Sequence, residues 1–369
     1  MTVERRFSRR ATLIGGGAAV LAGVGAAGLG YRELASLEGY DAAVAESRAA
    51  LAAQPAARDL VRFATLAANG HNTQPWLFRI GANRIDILPD RSRRTPVVDP
   101  DDHHLFVSLG CAAENLALAS AAAGLPCDVG FDAASGAVSV RQQRGAPVAS
   151  PLFAAIPHRQ STRAVYDGRG VAPEVLRHLA QAAAEPGVSL VLLTDRPRLN
   201  QMRDLVVAGN SAQLADAAFV RELKQWMRFT PHQALATGDG LFSVTSGAPV
   251  LPEWIAPLLF DRFFTAQSEN AKYARQMAST AGVAVFVGDR ADPEHWVRVG
   301  RACQRFALQA TALGLRHAMI NQPVEVARLR PELARLIGAP GVRPDLAMRF
   351  GYGAGLPFSA RRPVEAVLA

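Results

Sequence analysis

The chain has 369 residues, 49% of them hydrophobic and 20% charged, a balance that excludes a disordered linker and suffices for one large core or two ordinary ones. Its net charge of +8 is carried almost wholly by arginine, because Lys224 and Lys272 are the only lysines. No dense basic run with interleaved aromatics accompanies that charge, so no nucleic-acid partner is expected.

Residues 1–30 read as an address. Arg9 and Arg10 follow Ser8, and a weakly apolar, Gly/Ala-rich run extends from Leu13 to Gly30. This order fits a twin-arginine export signal better than a general secretory one. We therefore expect the twin-arginine machinery as a partner and a periplasmic or otherwise exported location. Interior glycines cost about 1 kcal/mol each against alanine, which speaks against a buried helix. Cleavage near Ala26 and Ala27 and retention as an uncleaved anchor both stay open. The twin-arginine route carries folded proteins, which suggests a cofactor loaded before export.

Next comes NGHNTQPWLF, residues 69–78, directly after the end of a helical pattern, with Asn72, Gln74, Pro75 and Trp76 crowded together. An alternating, strand-like run, IDILPDR (85–91), leads to Asp99-Pro100 and the helical GCAAENLALASAAAGL (110–125). In DPDDHH (99–104) the acids are read as a helix cap rather than a metal site. No C-x-x-C spacing exists, and Cys111, Cys127 and Cys303 are assigned to packing.

The same order of elements recurs near position 290. VAVFVGDR (283–290) leads to Asp292-Pro293 and GRACQRFALQATALGL (300–315), which agrees with 110–125 at seven of sixteen positions. Alanine richness inflates that agreement, so the shared order is the better evidence for two similar halves, 40–150 and 151–369, forming a pseudo-dimer within one monomeric chain. The second half opens with IPHRQSTRAVYDGR (156–169), where Arg159, Ser161 and Arg163 offer guanidinium forks and a hydroxyl to an anion. Between them and the second repeat, residues 226–264 gather aromatics among prolines and glycines without periodicity. This insertion is either a packed loop or a lid. The chain closes on RFGYGAGLPFSARRPVEAVL, adding the basic pair Arg361 and Arg362.

The N-T-Q-P-W stretch, R-Q-S-T-R-A-V and the paired-arginine tail, in that order, resemble the FMN-dependent nitroreductase family. The fused halves are similar to its Acg-like branch, over roughly residues 40–369. The resemblance implies an α+β fold and FMN as cofactor. It further implies Arg159 and Ser161 on the flavin phosphate and ribityl chain, and Arg163 at the pyrimidine edge. Asn72 would bond the isoalloxazine, with Gln74 shaping the loop behind it, and Arg361 and Arg362 would lie on the phosphate. A lid of the 226–264 kind covers the cofactor in Acg-like proteins. The first half lacks R-x-S-x-R and the second lacks N-x-Q-P-W, so one FMN per chain is expected. The implied activity is reduction of a flat, electron-poor small molecule such as a nitroaromatic or quinone, with a membrane quinol as a candidate donor outside the cytoplasm. The competing expectation is a protein that holds FMN with little turnover.

Overall fold

The computed structural model describes residues 37–248, 250 and 256–369. The export signal expected over 1–30 and part of the aromatic insertion lie outside the described residues. Helix α1 (37–47) and α2 (Ala57–Thr65) precede a four-stranded antiparallel sheet made of β1 (Trp76–Ile80), β2 (Arg84–Pro89), β3 (Cys127–Asp132) and β4 (Ala137–Gln142). Helix α3 (His103–Ala122) joins β2 to β3. The short α4 (Pro151–Ala155) and α5 (Pro173–Ala182) lead to β5 (Val188–Leu193), α6 (Arg196–Ala215) and α7 (Ala217–Trp226). The insertion holds β6 (Met227–Arg228), α8 (Pro231–Thr237), β7 (Leu241–Phe242) and α9 (Ala256–Phe263). Then follow α10 (Ala266–Ala278), β8 (Gly282–Gly288), α11 (Pro293–Ala312), β9 (Arg316–Met319), α12 (Gln322–Glu325), α13 (Arg330–Leu336) and β10 (Leu346–Gly351).

The two sheets share one topology. The first runs β1-β2-β4-β3 and the second β5-β8-β10-β9, and every pairing in both is antiparallel. Taken in chain order within each half, both read first, second, fourth, third. In each half a twenty-residue helix, α3 or α11, connects the second strand to the third. Strand β8 alternates between two cores because successive side chains point to opposite faces. Ala284 and Phe286 enter the central core, whereas Val283, Val285 and Val287 face a second one beneath α6 and α10.

Helices α3 and α11 cross at the centre, related by a local two-fold. A Cβ on Gly110 would sit 2.0 Å from the Val297 carbonyl oxygen, and one on Gly300 would sit 2.0 Å from that of Val107. Position 110 corresponds to 300 in the repeat, and 107 to 297, so the contact is reciprocal, as in an isologous dimer interface. Apolar residues surround α3 on most sides because it is packed all round, with 15 of its 20 residues buried. Glu114 on α3 pairs with Arg301 and Arg305 of α11, and Glu185 completes the network.

The tail after β10 crosses back to the first half. Leu368 bridges Phe78 in parallel, the Ala369 amide donates to the Phe78 carbonyl at 2.9 Å, and Tyr40 of α1 clasps Phe358 and Ala360.

Candidate functional site

Where the halves meet, a cavity of about 640 Å³ opens, a size typical of sites that enclose a small molecule. One wall is the turn Ala68–His71, which the core holds from below. Gln304 accepts from the Ala68 amide and donates to Asn115, and Asn115 donates to the Phe63 carbonyl. The opposite wall brings Ser161 and Arg163 beside Met319, Asn321 and Gln322. The roof is the insertion, with Met227, Phe229, Leu241, Phe260, Phe263 and Phe264, continued by Phe219 and Leu223 of α7. Described residues of the 226–264 insertion, expected to be either a packed loop or a lid, thus line the cavity.

Arg163 is held through its backbone. Arg349, fully buried in β10, donates to the carbonyls of Thr162 and Ala164 and stacks 4.0 Å from the Tyr166 ring. Gln276 donates to the Arg163 carbonyl at 2.6 Å. Burial lowers the Arg163 guanidinium from its ordinary value, opposed by the neighbouring hydroxyls of Tyr273 and Tyr166.

Arg159 and Arg361 converge behind the wall on the C-terminal end of α2. Arg159 donates to the Leu66 carbonyl at 2.8 Å, and Arg361 to the Thr65 carbonyl at 2.7 Å. Arg48 joins them, donating to the Pro157 carbonyl with Phe358 beneath its guanidinium. None of the three faces a carboxylate within ion-pair distance among the described residues, and the buried Nε atoms of Arg48 and Arg159 have no partner there. Burial, then repulsion from Arg159, pushes Arg361 down to about 9. A helix end offers about half a negative charge against three positive ones, leaving an excess that suits an anion. Arg48 carries no signal in the sequence, since it stands alone in a helix end far from the other two.

In the N-T-Q-P-W stretch, Gln74 shapes the loop as the resemblance implies, while the Asn72 side chain bonds protein groups. Asn72 donates to the carbonyls of Gly240 and Ala360 and accepts from Arg361, so its side chain is engaged away from the cavity wall. Gln74 donates to the Gly238 carbonyl and accepts from the Arg362 amide. Arg362 also lies 3.8 Å from Asp90. These three residues tie the root of the lid and the C-terminal tail to the first half. His71, Asn72 and Gln74 hold φ values of 48°, 54° and 52°, a left-handed conformation that side chains other than glycine rarely adopt. Asn69, whose side chain accepts from the Gln74 amide at 2.9 Å, helps to impose it. The lid root is further latched by Asp239, which pairs with Arg93 of the first half and with Arg228 at 2.6 Å.

Asp99 caps α3, accepting from the amides of His104 and Leu105, as the sequence suggested. Sequence reasoning passed over His104, Gln213, Tyr273 and Glu325, which line the polar end of the cavity. Asn321 and Gln322 line the same cavity.

Two antiparallel sheets repeated about a central helix pair, with a cavity at their junction, define a fused-dimer α+β protein. The chain belongs to the nitroreductase family, whose model matches residues 156–352, more than half of its length. It is 26% identical over 332 residues to the Mycobacterium tuberculosis protein "Putative NAD(P)H nitroreductase Rv3131", covering 84% of this chain and 90% of that one. Among solved structures it is similar to a Desulfitobacterium hafniense nitroreductase with bound FMN, at 17% identity, with a TM-score of 0.38 over 58% of this chain and 96% of that one. It is also similar to the FMN-dependent nitroreductase NfnB of Mycobacterium smegmatis in complex with NADPH, at 12% identity and a TM-score of 0.36, covering 55% and 87%.

Proposed function

We propose that this chain is an exported FMN-dependent oxidoreductase, similar to the Acg-like branch of its family, that reduces a flat, electron-poor acceptor such as a nitroaromatic or quinone. The observation that carries the reading is the cavity itself, which sets Ser161 and Arg163 against an aromatic roof. The residues fit FMN. Ser161 and Arg163 on the cavity wall would suit its ribityl chain and the edge of the ring, where a fixed cation stabilises negative charge, and the acid-free cluster of Arg48, Arg159 and Arg361 behind that wall would suit its phosphate. Asn72, Gln74 and Arg362 act from behind by fixing the turn and the lid root. When bound, FMN supplies two-electron transfer as hydride; the protein's part is to hold it, seat the acceptor beside it and exclude water.

The export reading rests on Arg9 and Arg10 ahead of the apolar run. In that compartment a membrane quinol is the donor we favour, and the aromatic roof offers a flat quinone an apolar seat. A second reading, an FMN-holding protein with little turnover, is favoured by the buried latch at Asp239. One experiment addresses both. Purified flavin-loaded protein is mixed with a soluble quinol or with NADPH, and bleaching of the flavin absorbance is followed in wild type and Asp239→Asn. The oxidoreductase reading expects bleaching by quinol, recovery on adding a quinone or nitroaromatic, and faster NADPH bleaching in the variant. Bleaching by neither donor in either protein would leave only the holding role.

A further inference from the structure

Reduction of a quinone to a hydroquinone needs two electrons and two protons, and a hydride brings only one of those protons. Glu325 and His104 line the polar end of that cavity from opposite halves, Glu325 on α12 and His104 on the first turn of α3. Their side chains are only 17% and 12% exposed, and Glu325 Oε1 lies 3.6 Å from His104 Nε2. Gln213 of α6 donates to the other carboxylate oxygen at 2.6 Å and orients the group. Among the described residues neither Glu325 nor His104 has an arginine or lysine as an ion-pair partner.

We propose that Glu325 and His104 form a one-proton pair that delivers a proton to the acceptor in the cavity. The inference rests on the oxidoreductase reading above. Hydride supplied by a bound cofactor would carry both electrons and the first proton. The Glu325 O–H bond then breaks as an O–H bond forms on the acceptor oxygen. The carboxylate left behind regains a proton through His104. The surroundings disfavour charge on both members of the pair. The imidazolium form of His104 is disfavoured by burial first, then by His103 beside it, with Arg343 nearby, against the acids Asp99 and Glu325. His71 approaches from the turn across the cavity. Burial likewise raises the Glu325 carboxyl, reinforced by Asp99 and opposed by His104, Gln213 and Arg330. Tyr273 and Glu269 of α10 face the same end of the cavity, where Glu269 is paired with Lys272.

The pair is testable with and without turnover. Infrared spectroscopy of the purified protein at pH 7 should show the C=O stretch of a buried protonated carboxyl, shifted in D2O, retained in Asp345→Asn and absent in Glu325→Gln. In the flavin-loaded enzyme, a positioned proton donor contributes about 10²- to 10⁴-fold, so Glu325→Gln should lower kcat for a quinone at least tenfold. KM and flavin content should stay unchanged, and the fall of kcat with rising pH should flatten. His104→Gln should keep the infrared band and lower kcat, because reprotonation slows. Wild-type kcat and pH profile in Glu325→Gln would overturn the pair while leaving the oxidoreductase reading intact, as would a wild type without the Glu325 band. A wild type that shows the band yet reduces no acceptor would overturn the oxidoreductase reading, and the donor role with it.

Discussion

His317 sits in β9 with 1% exposure and no hydrogen-bond partner on either ring nitrogen among the described residues. Burial, then the neighbouring charges of Arg159 and Arg316, pushes its ring down from 6.5 to about 3. Burial lowers His71 and His103 to about 4 in the same way. A group with a depressed pKa in the folded state contributes stability that is fully present above its unfolded value. The chain should therefore lose stability as pH falls from about 6.5 towards 3, each ring contributing on the order of 1.4 kcal/mol for each tenfold loss of proton affinity. Replacing His317 with Leu should flatten that slope in thermal melts across the window, whereas an unchanged slope would mean that the ring is already hydrated. The guanidinium cluster makes a second prediction at this scale. Losing a charge-assisted bond to an anion costs about 1.5 to 3 kcal/mol, so Arg159→Ala and Arg48→Ala should each weaken FMN binding by roughly ten- to a hundredfold in a fluorescence titration. Wild-type affinity in Arg48→Ala would remove it from the phosphate site.

Among the elements, the α3–α11 crossing organises the molecule. It holds the two glycines in reciprocal contact, the Glu114–Arg301–Arg305–Glu185 network at one side, and the Asn115–Gln304 pair that carries the cavity turn. Because each missing Cβ faces a backbone carbonyl rather than a flexible side chain, the helices must separate to admit one. Gly110→Ala and Gly300→Ala should each cost at least about 3 kcal/mol, the upper range for overpacking. The near-equality of the two, read from denaturant midpoints, tests the local two-fold. A tolerated substitution at either position would mean that the helices are not in register. Much of this level was legible in the sequence, because helix and strand periods and Asp-Pro starts depend on local chemistry that recurs in both repeats. The N-T-Q-P-W stretch shows where legibility stops. Its residue types were visible, but the partners of Asn72 and Gln74 are carbonyls of residues 238, 240 and 360, and no local pattern signals contacts so distant in the chain.

At the scale of the whole molecule, the two halves contribute unlike things to one cavity. The first supplies the Ala68–His71 turn and His104; the second supplies Ser161, Arg163, the lid and Glu325. Arg159 and Ser161 were readable as a candidate pair because they sit two residues apart. Arg48 and the His104–Glu325 pair were not, because they meet only when the halves pack. We propose that this division of labour limits a chain with two repeats to one cofactor. The most direct test is the flavin content of the full-length protein, loaded to saturation, passed through a desalting column and heat-denatured, with the released flavin identified and its ratio to chain measured. One FMN per chain, lost in Arg159→Ala and retained in Asp239→Asn, is the expected result; two flavins, FAD in place of FMN, or no flavin retained after saturation would contradict the account.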